Sequence, residues 1–313
     1  TWDGSISIPV AFNYNSYPWT FLMPDGELFI AGPESPTRKF DWQIPAVDAN
    51  KTWTTKEGSR STGGQNGTVV MLPLKSPYTE PHIVIIGGNE NTGMGVVRLK
   101  TAEIINLGAA TPEWNFIADM KHERGQSNAV LLPDGRIWVA GGIPGIFGID
   151  NGGPCEIYDP ENPGDDWKLG PTMNHPRNYH SSALLLADGS VLMGGDNGGA
   201  SFPLERYYPG YCFSANRPEI TNAPATTSYG ATIDIECPQA AWIQTVRLMR
   251  PGAVTHSFNM TQRAVDCVIN STADGQVNIT LPANPNVAPP GPYLVFLVTN
   301  NRIPSVGRWI RIS

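Results

Sequence analysis

Val130-Leu-Leu-Pro-Asp-Gly-Arg-Ile-Trp-Val-Ala-Gly-Gly142 is a pair of apolar runs joined at Asp-Gly and closed by two glycines. Asp-Gly marks a tight turn between antiparallel strands: positive φ is open to glycine at no steric cost and tolerated by aspartate. The runs are apolar without alternation, so each strand is expected to be covered on both faces. The phrase recurs as Phe21-Leu-Met-Pro-Asp-Gly-Glu-Leu-Phe-Ile-Ala-Gly32 and Leu184-Leu-Leu-Ala-Asp-Gly-Ser-Val-Leu-Met-Gly-Gly195. A looser copy joins Val69-Val-Met-Leu-Pro-Leu74 to Ile83-Val-Ile-Ile-Gly-Gly88. The closing glycines at 32, 88, 142 and 195 are 56, 54 and 53 residues apart, and Trp114 and Trp167 are also 53 apart.

A period near 50 residues is that of a kelch-type β-propeller blade. The repeat fades near residue 216, where Arg217-Pro-Glu-Ile-Thr-Asn-Ala-Pro224 marks a boundary. Short alternating runs follow, among them Val277-Asn-Ile-Thr-Leu281 and Tyr293-Leu-Val-Phe-Leu-Val298. The expectation is therefore all-β: a propeller portion over 1–216 and an immunoglobulin-like β-sandwich over 217–313.

Composition agrees. The chain of 313 residues holds 33 glycines and 29 prolines, which excludes a mainly helical fold. Its hydrophobic share of 40% excludes disorder, and no apolar run approaches the ~20 residues of a membrane span. A formal charge of −7 speaks against a nucleic-acid partner. No signal peptide opens the sequence, so any targeting segment is expected to have been removed or never present.

Cys155, Cys212, Cys237 and Cys267 show no CxxC spacing, and an even count fits one or two disulfides. Cys237 with Cys267 is the leading pair, and Cys155 with Cys212 stays open. Sequons at Asn50, Asn66, Asn259, Asn270 and Asn278 point to a secreted or cell-surface glycoprotein.

The repeat supplies its own control. His122-Glu-Arg124-Gly-Gln126-Ser127 returns 53 residues later as His175-Pro-Arg177-Asn-Tyr179-His180, and the first copy holds Tyr17-Pro18 at that place. A phenol beside an imidazole, near a propeller channel, is able to bind a metal. On the pair alone, hydrogen bonding within the channel is the plainer reading. His256, in Arg250-Pro-Gly-Ala-Val-Thr-His-Ser-Phe-Asn-Met-Thr-Gln-Arg263, is the sole histidine of the second region. His82, His122 and His175 read as ordinary surface residues.

Taken together, Arg177-Asn-Tyr-His-Ser-Ser-Ala-Leu-Leu-Leu-Ala-Asp-Gly189, the His256 segment, and the tail Pro289-Pro-Gly-Pro-Tyr-Leu-Val-Phe296 with Ile303-Pro-Ser-Val-Gly307 resemble the copper radical oxidases, the galactose oxidase and glyoxal oxidase family. Asn15-Ser-Tyr-Pro-Trp-Thr-Phe-Leu-Met-Pro-Asp-Gly26 is more similar to the glyoxal oxidase branch. The resemblance implies a seven-bladed propeller with a sandwich loop pushed along its axis. It also implies one copper ion on Tyr179, His180 and His256, with Tyr179 as proton acceptor. The family's Cys–Tyr radical cofactor has no counterpart here, since its residues belong to blades before the first repeat and no cysteine precedes Cys155. Four repeats where the family has seven imply the C-terminal part of such an oxidase, completed by an N-terminal propeller fragment or partner chain. It would oxidise aldehydes or primary alcohols with O2 to give H2O2. The other class left open is a non-catalytic extracellular binding or structural protein that has lost the radical site. A cytosolic kelch scaffold is disfavoured by the sequons. Substrate, assembly state and disulfide connectivity are not fixed by sequence.

Overall fold

The computed structural model describes residues 17–33, 37–41, 53–55, 66–92, 95–143, 153–195 and 202–313. Among them the fold is all-β, with two short 3₁₀ turns and no α-helix. No helix among the described residues is long and apolar enough to cross a membrane.

Four antiparallel meanders come first. The first sheet holds β1 (Thr20–Leu22), β2 (Leu28–Ile30), β3 (Arg38–Phe40) and β4 (Trp53–Thr55). The second holds β5 (Thr68–Met71), β6 (His82–Thr92), β7 (Gly95–Asn106) and β8 (Trp114–Ile117). The third holds β9 (Asn128–Leu131), β10 (Ile137–Ala140), β11 (Pro154–Tyr158) and β12 (Lys168–Thr172). The fourth has β13 (Ser182–Leu185), β14 (Val191–Gly194) and β15 (Glu205–Tyr207).

The continuous apolar runs are explained by stacking. Side chains alternate across each strand, so Val69, Ile83 and Ile85 face Phe21 and Phe29 of the first sheet, while Val70, Val84 and Ile86 face Ile137 and Val139 of the third. Val130, Trp138 and Ala140 pack on Ala183, Val191 and Met193 of the fourth. These sheets are consecutive blades of a propeller arc. On its two outer faces Leu22, Leu28, Leu184 and Leu192 are only half-buried.

The Asp-Gly turns differ from the sequence expectation in one respect. Only the glycines have positive φ, 91° at Gly26, 88° at Gly135 and 85° at Gly189. Each aspartate instead accepts the backbone N–H two residues on, at 3.1 Å in Asp25, Asp134 and Asp188. The loop is thus three residues long with its glycine left-handed, a common alternative to the two-residue hairpin.

In chain order β16 (Thr226–Thr227), β17 (Thr232–Glu236), β18 (Ile243–Met249), β19 (Val254–Thr255), β20 (Phe258–Asn259), β21 (Ala264–Asp266), β22 (Val268–Ala273), β23 (Gln276–Thr280), β24 (Gly291–Thr299) and β25 (Arg308–Ile312) follow. Sheet β16-β25-β24-β18-β21 faces sheet β17-β23-β22. Ile235, Val277 and Ile279 meet Val246, Leu248, Val295 and Leu297 between them. This is the expected sandwich.

The sandwich sits against the Asp-Gly ends of the blades. Arg247 donates to Pro133 O, Arg302 to Asp134 O, and Leu74, just past β5, is buried in the sandwich core. Hairpin β19–β20 leaves that contact and runs the length of the inner strands. Arg263 donates to Leu22 O; Gln262 accepts from Met71 N–H at 2.8 Å and donates to Val69 O at 3.1 Å. Finally Ser257 O accepts from Thr68 Oγ1 at 2.8 Å, at the start of β5. The tip has thereby been carried to the opposite end of the blades.

The expected disulfide between Cys237 and Cys267 is not formed: all four cysteines are free thiols. Register gives the reason. Cys237 N–H bonds to Gly275 O, before β23, whereas Cys267 precedes Val268, which pairs with Thr280 at the far end of β23. The five-residue strand sets them roughly 15 Å apart at ~3.4 Å per residue, beyond the ~7 Å Cα separation a disulfide spans. Cys155 and Cys212 share the core between the third and fourth sheets, also unbonded.

Candidate metal centre

The site is built where the inner strands begin. Tyr179 and His180 lie just before β13, Gln126 and Ser127 just before β9, Asn66 just before β5, and Tyr17 just before β1. Glycine pairs and arginines hold these segments in place. Gly88 N–H donates to Arg124 O and Gly142 N–H to Arg177 O, each at 2.7 Å. A Cβ on Gly87 would stand 2.4 Å from Arg124 O, and one on Gly141 2.6 Å from Arg177 O, so only glycine admits the next blade's segment so closely. Arg124 then bonds Gly141 O, Pro154 O and Glu156; Arg177 bonds Gly195 O, Pro203 O and Glu205.

A fifth segment brings His256, at the tip of hairpin β19–β20. Its φ of 52° and the 63° of Ser257 put two non-glycine residues in the left-handed conformation that a two-residue hairpin demands. Asn-Gly would adopt it freely; His-Ser adopts it at a cost that is a mark of functional turns. The hairpin is held by Asn259, whose Oδ1 accepts from Ala253 N–H at 3.0 Å and Thr261 N–H at 3.2 Å.

Three side chains converge there. The Tyr179 ring lies 4.4 Å from that of His180 and 5.1 Å from that of His256, and the two imidazoles are 5.7 Å apart, centroid to centroid. His256 Nδ1 shares a hydrogen bond of 2.7 Å with Thr255 Oγ1, leaving Nε2 free. An imidazole oriented through one nitrogen presents the other as a ligand. Burial, then the neighbouring His180, hold His256 below the usual imidazole range, which favours the neutral, metal-binding form. The cavity among Tyr17, Gln126, Tyr179, His256 and Ser257 measures about 30 Å³, room for one or two water-sized groups. Among the described residues no cluster of three or more His, Cys, Asp or Glu side chains forms, so the donor set depends on the phenol. A far larger cavity of about 810 Å³, beside Pro73, Lys75 and Glu161, lies at the other end of β5.

The family described as "Glyoxal oxidase N-terminus" matches residues 10–212, and "Galactose oxidase-like, Early set domain" matches 217–312. The chain belongs to the glyoxal oxidase and galactose oxidase-like family. It is similar to "Aldehyde oxidase GLOX" of Vitis pseudoreticulata, 31% identical over 95% of this chain and 62% of that protein. It is also similar to the galactose oxidase of Gibberella zeae, 26% identical over 96% of this chain and 46% of the relative. Among solved structures, a fungal alcohol oxidase of the AA5 family in complex with copper matches with a TM-score of 0.81, at 27% identity, over 96% of this chain and 64% of that one. The chain thus spans about three-fifths of the length of the first of these relatives and of that structure.

Within this family fold, the sequence singled out Tyr179, His180 and His256, and the structure brings them together. Sequence reading gave Tyr17 no place in the site. The structure stacks its ring on His256 with centroids 3.5 Å apart and planes 17° apart. Its repeat position, shared with Tyr179, was the available signal. His82 and His175 lie elsewhere: His82 Nδ1 is 2.8 Å from Glu80 O and His175 stacks on Phe202. Of the sequons, Asn66 lines the site cavity, Asn270 and Asn278 hydrogen-bond each other across β22 and β23, and Asn50 lies outside the described residues.

Proposed function

We propose that this chain is the C-terminal portion of a secreted copper radical oxidase acting on aldehydes or primary alcohols, with dioxygen reduced to hydrogen peroxide. In this reading 1–216 is its share of the propeller and 217–313 the sandwich. The observation that carries it is the convergence of Tyr179, His180 and His256 from two separate segments, one of them a strained hairpin threaded along the blades.

The residues fit the group. Two imidazoles and a phenol form a donor set suited to copper, and the left-handed backbone at His256 is the strain expected where a ligand position is enforced. Bound there, copper supplies one-electron chemistry toward dioxygen. His180 and His256 would hold the ion through their ring nitrogens, and the Thr255 contact fixes the His256 ring. Tyr179 takes the proton of the substrate hydroxyl at its phenolic oxygen. Tyr17, half-exposed, lies flat against His256 and limits the positions its ring can take. The Cys–Tyr radical pair belongs to a segment outside this chain, which would also cover Leu22, Leu28, Leu184 and Leu192 on the open faces of the arc.

The test is copper titration of the chain with electron paramagnetic resonance detection, followed by a peroxide assay with methylglyoxal and with galactose on the protein completed by the missing blades. About one copper per chain, lost in His256→Ala with the fold retained, is expected. Failure to take up copper, or a completed and copper-loaded protein that yields no peroxide from either substrate, ends the oxidase reading.

A further inference from the structure

An N-linked glycan is bulky and strongly hydrated, so a folded chain carries one only on an amide that opens to solvent. Of the sequons at Asn50, Asn66, Asn259, Asn270 and Asn278, the last four lie among the described residues.

Two of these four are used inside the channel. Asn66 borders the cavity of about 30 Å³ that Tyr179 and His256 share, a space far smaller than a sugar ring. Asn259 is built into the hairpin that carries His256. Its Oδ1 holds the N–H groups of Ala253 and Thr261, and the sequon's own Thr261 Oγ1 donates to Pro251 O at 2.6 Å. A Cβ on Gly252 would stand 3.2 Å from Asn259 Nδ2. The cavity that Asn259 borders, about 40 Å³, is walled by Val70, Leu131 and Ala183 of the blades. A sugar at Asn259 would lift the hairpin off the inner strands.

The other two lie on the outer face of the sandwich. Side chains alternate along β23, so Val277 and Ile279 turn to the core while Asn278 and Thr280 turn outward. Asn278 is half-buried in the central strand, accepting from Asn270 Nδ2 on one side and donating to Asp234 on the other. Asn270 is exposed on β22, which pairs with β23 alone among the described residues. It is also the extra residue of a bulge: Ile269 opposes Ile279 and Ser271 opposes Asn278, with Asn270 between them. Its Nδ2 donates to Asn278 Oδ1 at 2.8 Å and to Thr280 Oγ1 at 3.0 Å. Replacing one hydrogen on Nδ2 leaves one of these donors, and Thr280 Oγ1 still donates to Asn270 Oδ1 at 3.3 Å. The modification therefore costs one solvent-exposed hydrogen bond.

We propose that Asn270 carries an N-linked glycan and that folded chains leave Asn66 and Asn259 bare. In the transfer, Nδ2 bonds to the anomeric carbon of an oligosaccharide delivered on a lipid pyrophosphate. The anomeric C–O bond breaks, and one amide proton leaves with the pyrophosphate. The glycan then covers the outer edge of β22, whose unpaired backbone groups would otherwise template pairing with another chain. That the native protein meets the transferase rests on the secreted reading; the choice among sequons does not.

The experiment is expression of the full chain behind a yeast secretion signal, which exposes every sequon to the transferase whatever the native compartment. Glycopeptides from the medium and from the retained pool are read by mass spectrometry after enzymatic deglycosylation in heavy-oxygen water. Asn270 is expected to be occupied in most chains of both pools, and any occupancy of Asn66 or Asn259 to be confined to retained chains. Asn270→Gln and Thr272→Ala, which spoil one sequon through different atoms, should each remove that glycan and no other. A bare Asn270 overturns the proposal, as does an occupied Asn259 in secreted chains. In protein from its own source, glycans on other sequons beside a bare Asn270 overturn this proposal alone. No glycan at any sequon there overturns the secreted reading, and the native modification with it.

Discussion

Blades three and four carry the same guanidinium clamp 53 residues apart, and part company two residues later. Arg124 bonds two backbone carbonyls and the carboxylate of Glu156; Arg177 does the same with Glu205. The closing glycines of the preceding blade receive both segments through the same 2.7 Å hydrogen bond. On this shared frame blade three places Gln126 and Ser127, and blade four Tyr179 and His180. The frame is thus independent of the chemistry. A repeat that must close tightly for packing gives two rigid positions at the channel, and substitution there costs the fold little.

Four measurements would sharpen or break that comparison. The largest effect should come from the frame. Arg124→Ala strands the fully buried Glu156, at a cost of about 3–5 kcal/mol in urea unfolding, and Arg177→Ala costs less because Glu205 remains 16% exposed. Equal losses would mean that the two clamps are not distinguished by burial. Next, His180→Ala should weaken copper binding at least about a hundredfold, while its blade-three counterpart Ser127→Ala leaves it unchanged. Copper titration that fails to separate the two variants would remove the distinction between the blades. Third, Ser257→Gly, which relieves a left-handed serine, should stabilise the protein by about 0.5–1 kcal/mol in denaturant unfolding.

The smallest effect concerns pH. Burial pushes the Glu205 carboxyl up, but the Asn174 N–H and the Arg177 guanidinium outweigh it and hold it below the usual range. A carboxyl lowered on folding stabilises above its unfolded value, and that stability is lost as pH falls through the folded one. Glu205→Gln should therefore cost at most ~1 kcal/mol at pH 7, the difference shrinking below about pH 4. A penalty that grows on acidification would reverse the assignment.

Most of the frame was legible as periodicity. Asp-Gly, the paired glycines and the unbroken apolar runs each have one local cause, so their spacing gave the blades directly. Tyr179 and His180 were visible as departures from that spacing. Tyr17 shares that repeat position, but its ring contact with a residue 239 positions away is encoded by no local pattern. The cysteines misled for a related reason: parity carries no register, and register set Cys237 and Cys267 at opposite ends of β23.

The sequence by itself determined the repeat, the all-β class, the change of pattern near residue 216, and three side chains of metal-binding type. Those follow from local chemistry, the turn conformations open to glycine and the burial of uninterrupted apolar runs. Only the tertiary structure decided that a sandwich hairpin travels from the Asp-Gly ends of the blades to the opposite end of the channel. Hydrogen bonds from Arg263 to Leu22 O and from Gln262 to Val69 O, and from Thr68 Oγ1 to Ser257 O, fix that path. His256 stands beside Tyr179 because those long-range bonds set its height in the channel, a quantity that strand periodicity does not contain.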